Sequence, residues 1–268
     1  MNRFTLALLP FLTAASAAVL LSSRPAHLPA APNAATPGVP VVVELFTSEG
    51  CSSCPAADAA LRELETAQSL NGVEVIALGQ HVDYWNRLGW QDPFSSPVFT
   101  QRQRDYAEQF GEGSYTPQAV VNGQYQFVGS RRQELAEAIV RAAKAPRATV
   151  SVTRTAAGTL AVRVTDLPPA TQPADVLLAF TETGLSSQVG RGENAGRLLR
   201  HAAVVQALRP LGTIAPNGTF TTTAPLHLEA RWKAQNLRAV VLVQEKASRH
   251  IVGVASLPLH NPDLTSRQ

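Results

Sequence analysis

Val41-Val42-Val43-Glu44-Leu45-Phe46-Thr47-Ser48-Glu49-Gly50-Cys51-Ser52-Ser53-Cys54-Pro55 is the stretch on which the reading of this chain turns. Its first six residues are an apolar run of the kind that forms a strand buried on both faces. It closes on the chain's only two cysteines, spaced C-x-x-C, and a helical pattern follows from Pro55. A C-x-x-C between a strand and a helix is the arrangement used by thiol–disulfide chemistry. Unpaired N–H groups and the positive end of the helix dipole favour thiolate over thiol there. Cys51, the outer residue, is the expected attacking thiol. Cys54, one helical turn inward, is the expected resolving thiol. The alternatives are a small inert disulfide and a metal site.

The pattern continues regularly toward the C-terminus. The helix over residues 55–70 places Ala57, Leu61, Leu64 and Ala67 on one face and stops at Asn71-Gly72. A second buried strand covers 73–79. Ser96-Pro97 reads as the cap and first residue of a helix with Phe99, Tyr106 and Phe110 on its apolar face, closed by Gly111. Strands over 118–121 and 124–128 flank Asn122-Gly123, a two-residue hairpin signal. Ser130, with Gln133 at capping-box spacing, opens a last helix that points Leu135, Ala138, Ile139 and Ala142 inward. Residues 41–146 thus carry the order β-α-β-α-β-β-α of a thioredoxin-like α/β domain.

After Pro146 the texture is all-β. Strands are expected over 149–155, 159–165, 176–181, 200–208, 220–228, 237–245 and 250–257. They predict a small sandwich-like β domain over 147–260, followed by a tail at 261–268.

Further candidate residues fall at the edge where Cys51 is expected. Thr116-Pro117 precedes the third strand of the first domain. A cis proline there would expose backbone groups to an extended substrate, whereas an ordinary proline would only mark a strand entry. The loop from His81 to Phe94 holds Tyr84 and Trp85, which could bind a peptide or fill a satellite core. His81 or Asp83 could accept a proton from the buried thiol. Under the metal alternative, Cys51, Cys54 and His81 would hold Cu(I), which soft thiolates suit. No other cofactor is expected. The Gly-rich stretch 190–197 lacks the Lys-Ser/Thr of a phosphate loop and reads as a long hairpin loop.

The N-terminus bears on the compartment. Asn2-Arg3 precedes an almost wholly apolar run over residues 4–21 that contains Ala15-Ser16-Ala17, a small-residue cleavage pattern. Residues 1–23 therefore read as a signal peptide, with an uncleaved anchor as the alternative. Residues 24–40 are an Ala/Pro-rich linker. Export places the cysteines in an oxidising periplasmic or secreted setting. A membrane partner is expected only if the leader stays uncleaved. A net charge of +3 without a dense basic stripe argues against nucleic acid.

These segments resemble the bacterial exported thioredoxin-like family catalogued as domain of unknown function 1223. The resemblance rests on Glu44 through Pro55, on His81-Val82-Asp83-Tyr84-Trp85, on Asp92-Pro93-Phe94 and on Tyr115-Thr116-Pro117. It extends to Gly192-Glu193-Asn194-Ala195-Gly196-Arg197 and to Leu199 through His201. It implies a thioredoxin-like fold and no established activity. Ser-Ser stands between the cysteines, and Pro55 follows them, where thioredoxin has Gly-Pro and Lys, so potential and partner choice do not carry over. The expected function is an exported thiol–disulfide oxidoreductase acting on protein or small thiol substrates with a separate redox partner. A copper(I) chaperone and a redox-inert binding module are the alternatives.

Overall fold

β1 (Val39–Thr47) starts two residues before its apolar run and leads directly to the cysteines. In this computed structural model, residues 38–260 and Met1 are described. The expected leader beyond Met1, the linker as far as residue 37, and the 261–268 tail lie outside the described residues. No described helix is long and apolar enough to cross a membrane.

α1 (Cys54–Ala67) begins at Cys54 and ends at Gln68, which takes a left-handed conformation. β2 (Ser69–Leu70) folds back on β3 (Val73–His81). α2 (Pro97–Phe110) opens on Ser96, whose hydroxyl accepts from the Val98 N–H at 3.2 Å, and closes on Gly111. β4 (Gln118–Val121) and β5 (Tyr125–Val128) are joined by the three residues 122–124, one more than expected, with Asn122 and Gly123 at φ 46° and 68°. α3 (Arg132–Ala142) starts later than its sequence signal: Arg131, not Ser130, holds the cap position, with no side-chain bond. β1 pairs parallel with β3 and antiparallel with β4.

The second half contributes β6 (Thr149–Arg154), β7 (Thr159–Thr165), β8 (Ala174–Glu182), β9 (Leu185–Gln188), β10 (Leu198–His201), β11 (Val204–Ile214), β12 (Phe220–Pro225), β13 (Leu237–Glu245) and β14 (Ile251–Pro258). The single strand expected over 200–208 is two strands, broken where Ala203 takes φ 46°.

The expected fold class is corrected here. The molecule is not a thioredoxin-like α/β domain followed by a separate all-β domain. Its described residues are mostly β, with three α-helices, and a mixed nine-stranded sheet runs through both halves in the order β14-β13-β8-β11-β3-β1-β4-β5, with β2 on β3. The reason is an unpaired edge. The outer edge of β3 leaves backbone groups open, and β11 takes them. Val204 lies parallel opposite Gly79, and the Gly79 N–H donates to the Ala203 carbonyl at 2.8 Å. A Cβ at position 79 would stand 2.9 Å from the Ala202 carbonyl oxygen, so only glycine fits the junction without a shift.

Packing follows the sheet across the expected boundary. Val42, Ile76 and Leu78 share one core with Phe99 of α2 and with Ala179, Val205, Val240 and Leu242 of the second half. On the other face of β1, Val41, Val43 and Leu45 pack on α1 and α3. A three-stranded sheet, β12-β7-β6, covers Val176, Leu178 and Phe180 of β8.

Glu44 interrupts the apolar run and is fully buried. Arg102 of α2 grips its carboxylate through Nε at 2.6 Å and Nη2 at 3.0 Å, and the Tyr106 hydroxyl and Gln80 amide also donate to it. Gln244 of β13 joins by accepting from Arg102 Nη1 at 2.9 Å and donating to Tyr106 at 2.8 Å. Burial works against the Arg102 charge, but Glu44 outweighs it and holds the guanidinium firmly protonated.

Candidate functional site

Cys51 and Cys54 are joined as a disulfide at the entrance to α1. The Cys54 N–H donates to the Cys51 carbonyl at 3.2 Å, so the motif turns tightly into the helix. The pair is covered: Cys51 is 1% exposed and Cys54 is 0% exposed. Ser52 and Ser53, between them, are exposed.

The cover is the loop between β9 and β10. Asn194 is fully buried, and its amide nitrogen donates to the carbonyls of Glu49 and Cys51, both at 2.9 Å. The neighbouring Glu193 carboxylate accepts from the Ser52 N–H at 2.8 Å. Arg197 Nη1 donates to Asn194 Oδ1 at 2.7 Å and fixes the amide's orientation. The stretch read from sequence as a long hairpin loop is the loop of the β9–β10 hairpin, and it seats as a lid on the cysteine motif.

A buried polar cluster lies beside the pair. Glu49 accepts from Trp90 Nε1 at 2.8 Å, from His201 Nε2 at 2.8 Å and from the Ser187 hydroxyl. Asp92 accepts from the Glu49 N–H at 2.9 Å and from His81 Nδ1 at 2.7 Å. The His81 and His201 rings meet edge to face with centroids 4.7 Å apart, and His201 Nδ1 is buried without a hydrogen-bond partner. Asp58 of α1, one turn beyond Cys54, is buried within electrostatic reach of both histidines.

The electrostatics follow from that crowding. Burial pushes the Asp58 carboxyl up from its ordinary value, against the pull of His201 and His81. Burial opposes the His81 imidazolium, yet Asp92, Asp58 and Glu49 outweigh it and raise its pKa. Burial likewise works against the Asp92 carboxylate, but His81 and the N–H donors of Glu49 and Phe94 bring its pKa down.

A pH prediction arises from Asp58. A carboxyl whose pKa is raised by folding binds its proton more tightly in the folded state. Its stabilising contribution is complete below the ordinary value of 3.8 and is lost as pH rises through the folded value. Asp58→Asn removes that loss. Denaturant unfolding of the oxidised protein should therefore show the variant gaining on the wild type as pH rises from 4 to 8. A stability difference that stays constant over that range contradicts this.

The sequence-predicted residues divide into three groups. His81 joins the buried cluster with its Nδ1 committed to Asp92, and no three His, Cys, Asp or Glu side chains among the described residues converge as a metal cage. Asp83 stands apart: its carboxylate accepts from the Thr100 hydroxyl of α2 at 2.6 Å. Trp85 and Thr116 come together, with Trp85 Nε1 donating to the Thr116 hydroxyl at 2.8 Å. Trp85 also backs onto Gly50, where a Cβ would lie 3.1 Å from its own. The Thr116–Pro117 peptide is cis. Tyr84 donates to Gln103 at 3.2 Å.

Asp58, Glu49, Asp92, Asn194 and His201 were not singled out as site residues from sequence. Glu49, Asp92, Asn194 and His201 lie in the segments that carry the family resemblance, and Asp58 left a local signal, an acid at i+4 from Cys54 beside an apolar helix face.

The family model described as Protein of unknown function (DUF1223) matches residues 42–244. Among solved structures, protein AGR_C_4864 from Agrobacterium tumefaciens is 30% identical with a TM-score of 0.67, the alignment covering 85% of this chain and 97% of that one. HBP35 of Porphyromonas gingivalis is 16% identical with a TM-score of 0.59 over 84% of this chain and 76% of that one, a likeness of fold. No curated protein matches this chain.

Proposed function

Because the chain belongs to the family described as Protein of unknown function (DUF1223), whose description carries no activity, we propose from its own chemistry that it is a thiol–disulfide exchange protein of the periplasm or the secreted space. The observation that supports this is the setting of the cysteine pair. Cys54 starts α1, the short-range disulfide closes on Cys51, and buried Asp58 lies one turn below. Cys51 attacks a substrate disulfide and takes one of its sulfurs into a mixed disulfide. Cys54 then attacks Cys51, restores the internal disulfide and frees the second substrate sulfur as thiolate. Asp58, beside the resolving thiol, is the group suited to take its proton. The apolar N-terminal run supports export. Thr116, Pro117 and Trp85 are the residues suited to hold a substrate backbone.

The test is Cys54→Ser produced in the export compartment. Cys51 should then accumulate mixed disulfides with partner proteins, and the wild-type pair should titrate reversibly in a glutathione redox buffer. If neither occurs, the function is wrong. One observation favours a second reading, a redox-inert module: both sulfurs are buried beneath the Asn194 lid. That reading predicts a disulfide that resists reduction even in excess dithiothreitol with the lid opened by mutation.

A further inference from the structure

A cavity of about 260 Å³ opens beside the first turn of α1, between that helix and β10. Its wall includes Pro55, which follows Cys54, together with Asp58, Arg62, Arg197 and Arg200. A second cavity of about 360 Å³ is also lined by Arg62 and Arg200 and continues along the same side of α1. Together they reach the size range of small-molecule sites.

Arginines outnumber acids in the combined lining, Arg62, Arg197 and Arg200 against Asp58 and Glu65. No carboxylate among the described residues forms an ion pair with Arg62, Arg197 or Arg200. Arg62 donates to the Arg200 carbonyl at 2.6 Å, which pins the α1 side of the cavity to β10. Asp58 lines the first cavity with its carboxyl pushed up by burial from its ordinary value, and Glu65 lines the second. Surface arginines are ordinarily solvated and scattered. Three around one concavity, next to a cysteine motif, offer forked donors matched to carboxylates.

We propose that this cavity is a specificity site for small, carboxylate-bearing disulfides and thiols of the glutathione kind, which the arginines hold while Cys51 and Cys54 exchange with their sulfur. This rests on the exchange function proposed above and names its substrate class. The reaction balances from the dithiol form, which a thiol reductant, the separate redox partner, supplies by reducing the Cys51–Cys54 disulfide. The Cys51 thiolate attacks one sulfur of RSSR and expels RS⁻. Cys54 then attacks Cys51 and expels the second RS⁻. Two electrons pass from the protein dithiol to the ligand disulfide, and the two thiol protons leave with the products. Arg197 connects the cavity to the lid, since it also orients Asn194, so an anion drawn to Arg197 competes with the bond that keeps the pair covered.

The experiment compares reduced protein reacting with glutathione disulfide and with neutral hydroxyethyl disulfide. Steering by three positive groups gives an expected preference for the anionic disulfide of about tenfold or more at low salt, shrinking as salt is added. The triple variant R62Q, R197Q, R200Q should lose that preference, read as the ratio of its two rates, because loss of the Arg197 bond to Asn194 raises both rates alike. R200Q alone, which removes no hydrogen bond found in the structure, should lose part of the preference and guards against misfolding of the triple variant. Equal rates with both disulfides in the wild type, or an unchanged ratio in R200Q and the triple variant, overturn the cavity assignment and leave the exchange function standing. Failure of the wild type to react with either disulfide overturns the exchange function, and the substrate assignment falls with it.

Discussion

Arg102→Met is expected to destabilise the protein by about 3–5 kcal/mol, the cost of stranding a buried charge by deleting its partner. Met fills much of the volume of the arginine stem, so the loss is electrostatic rather than a cavity. Glu44 has no water to turn to, being fully buried in the middle of β1. The lost bonds are two to Glu44, one to Gln244 and one to Tyr106, so the damage reaches β13 as well as β1. At about 2–4 °C per kcal/mol for a protein of this size, the thermal midpoint should fall by roughly 6–20 °C. Adding Glu44→Gln to Arg102→Met removes the stranded charge and should recover about 1–3 kcal/mol, as expected for residues in direct contact. A single variant within about 1 kcal/mol of the wild type would show that the ion pair does not hold the sheet's centre.

The second large effect concerns access to the sulfurs. Asn194→Ala removes the amide that donates to the carbonyls of Glu49 and Cys51. It leaves the Glu49 carbonyl without a donor and the Cys51 carbonyl with the Cys54 N–H alone, at about 1–3 kcal/mol in all. That free energy favours opening of the loop, because an open loop lets water reach both groups. If reductant meets the disulfide only after the loop opens, reduction by dithiothreitol should accelerate by roughly 5- to 140-fold, for about 1–3 kcal/mol at tenfold per 1.4 kcal/mol. Glu193→Gln is the control: its carboxylate bonds the exposed Ser52 N–H, and its loss should move the rate by no more than a few-fold. An Asn194→Ala rate within twofold of the wild type would show that the loop is not the cover.

Much of the local structure was legible because local physics wrote it. Ser96 caps α2 through its own hydroxyl, Gly111 closes that helix, and Asn122-Gly123 makes the hairpin that its backbone preferences demand. The cysteine spacing located the motif at the start of α1 for the same reason. What was not legible depends on pairings between distant segments. Nothing near Gly79 announces that its strand continues onto Val204, because an edge strand and an internal strand carry the same apolar pattern. Glu44 passed as a flaw in an apolar run because Arg102, its partner, lies 58 residues on. Asn194 reads as an ordinary loop residue until its amide is seen against Cys51. The polar cluster was missed on the same ground: Glu49 and His201 are 152 residues apart.

The lid also sets an order of events. Cys51 and the amide that caps its carbonyl are separated by 143 residues of chain. A polypeptide that emerges N-terminus first at about 5–20 residues per second exposes the cysteines roughly 7–30 s before Asn194 exists to cover them. During that interval the two thiols lack the cover that Asn194 later provides. Closure comes afterwards, when β11 docks on β3 and carries the loop into place. The newborn chain and the mature protein thus present the same two sulfurs to their surroundings in opposite ways, first as an open invitation and then behind a latch.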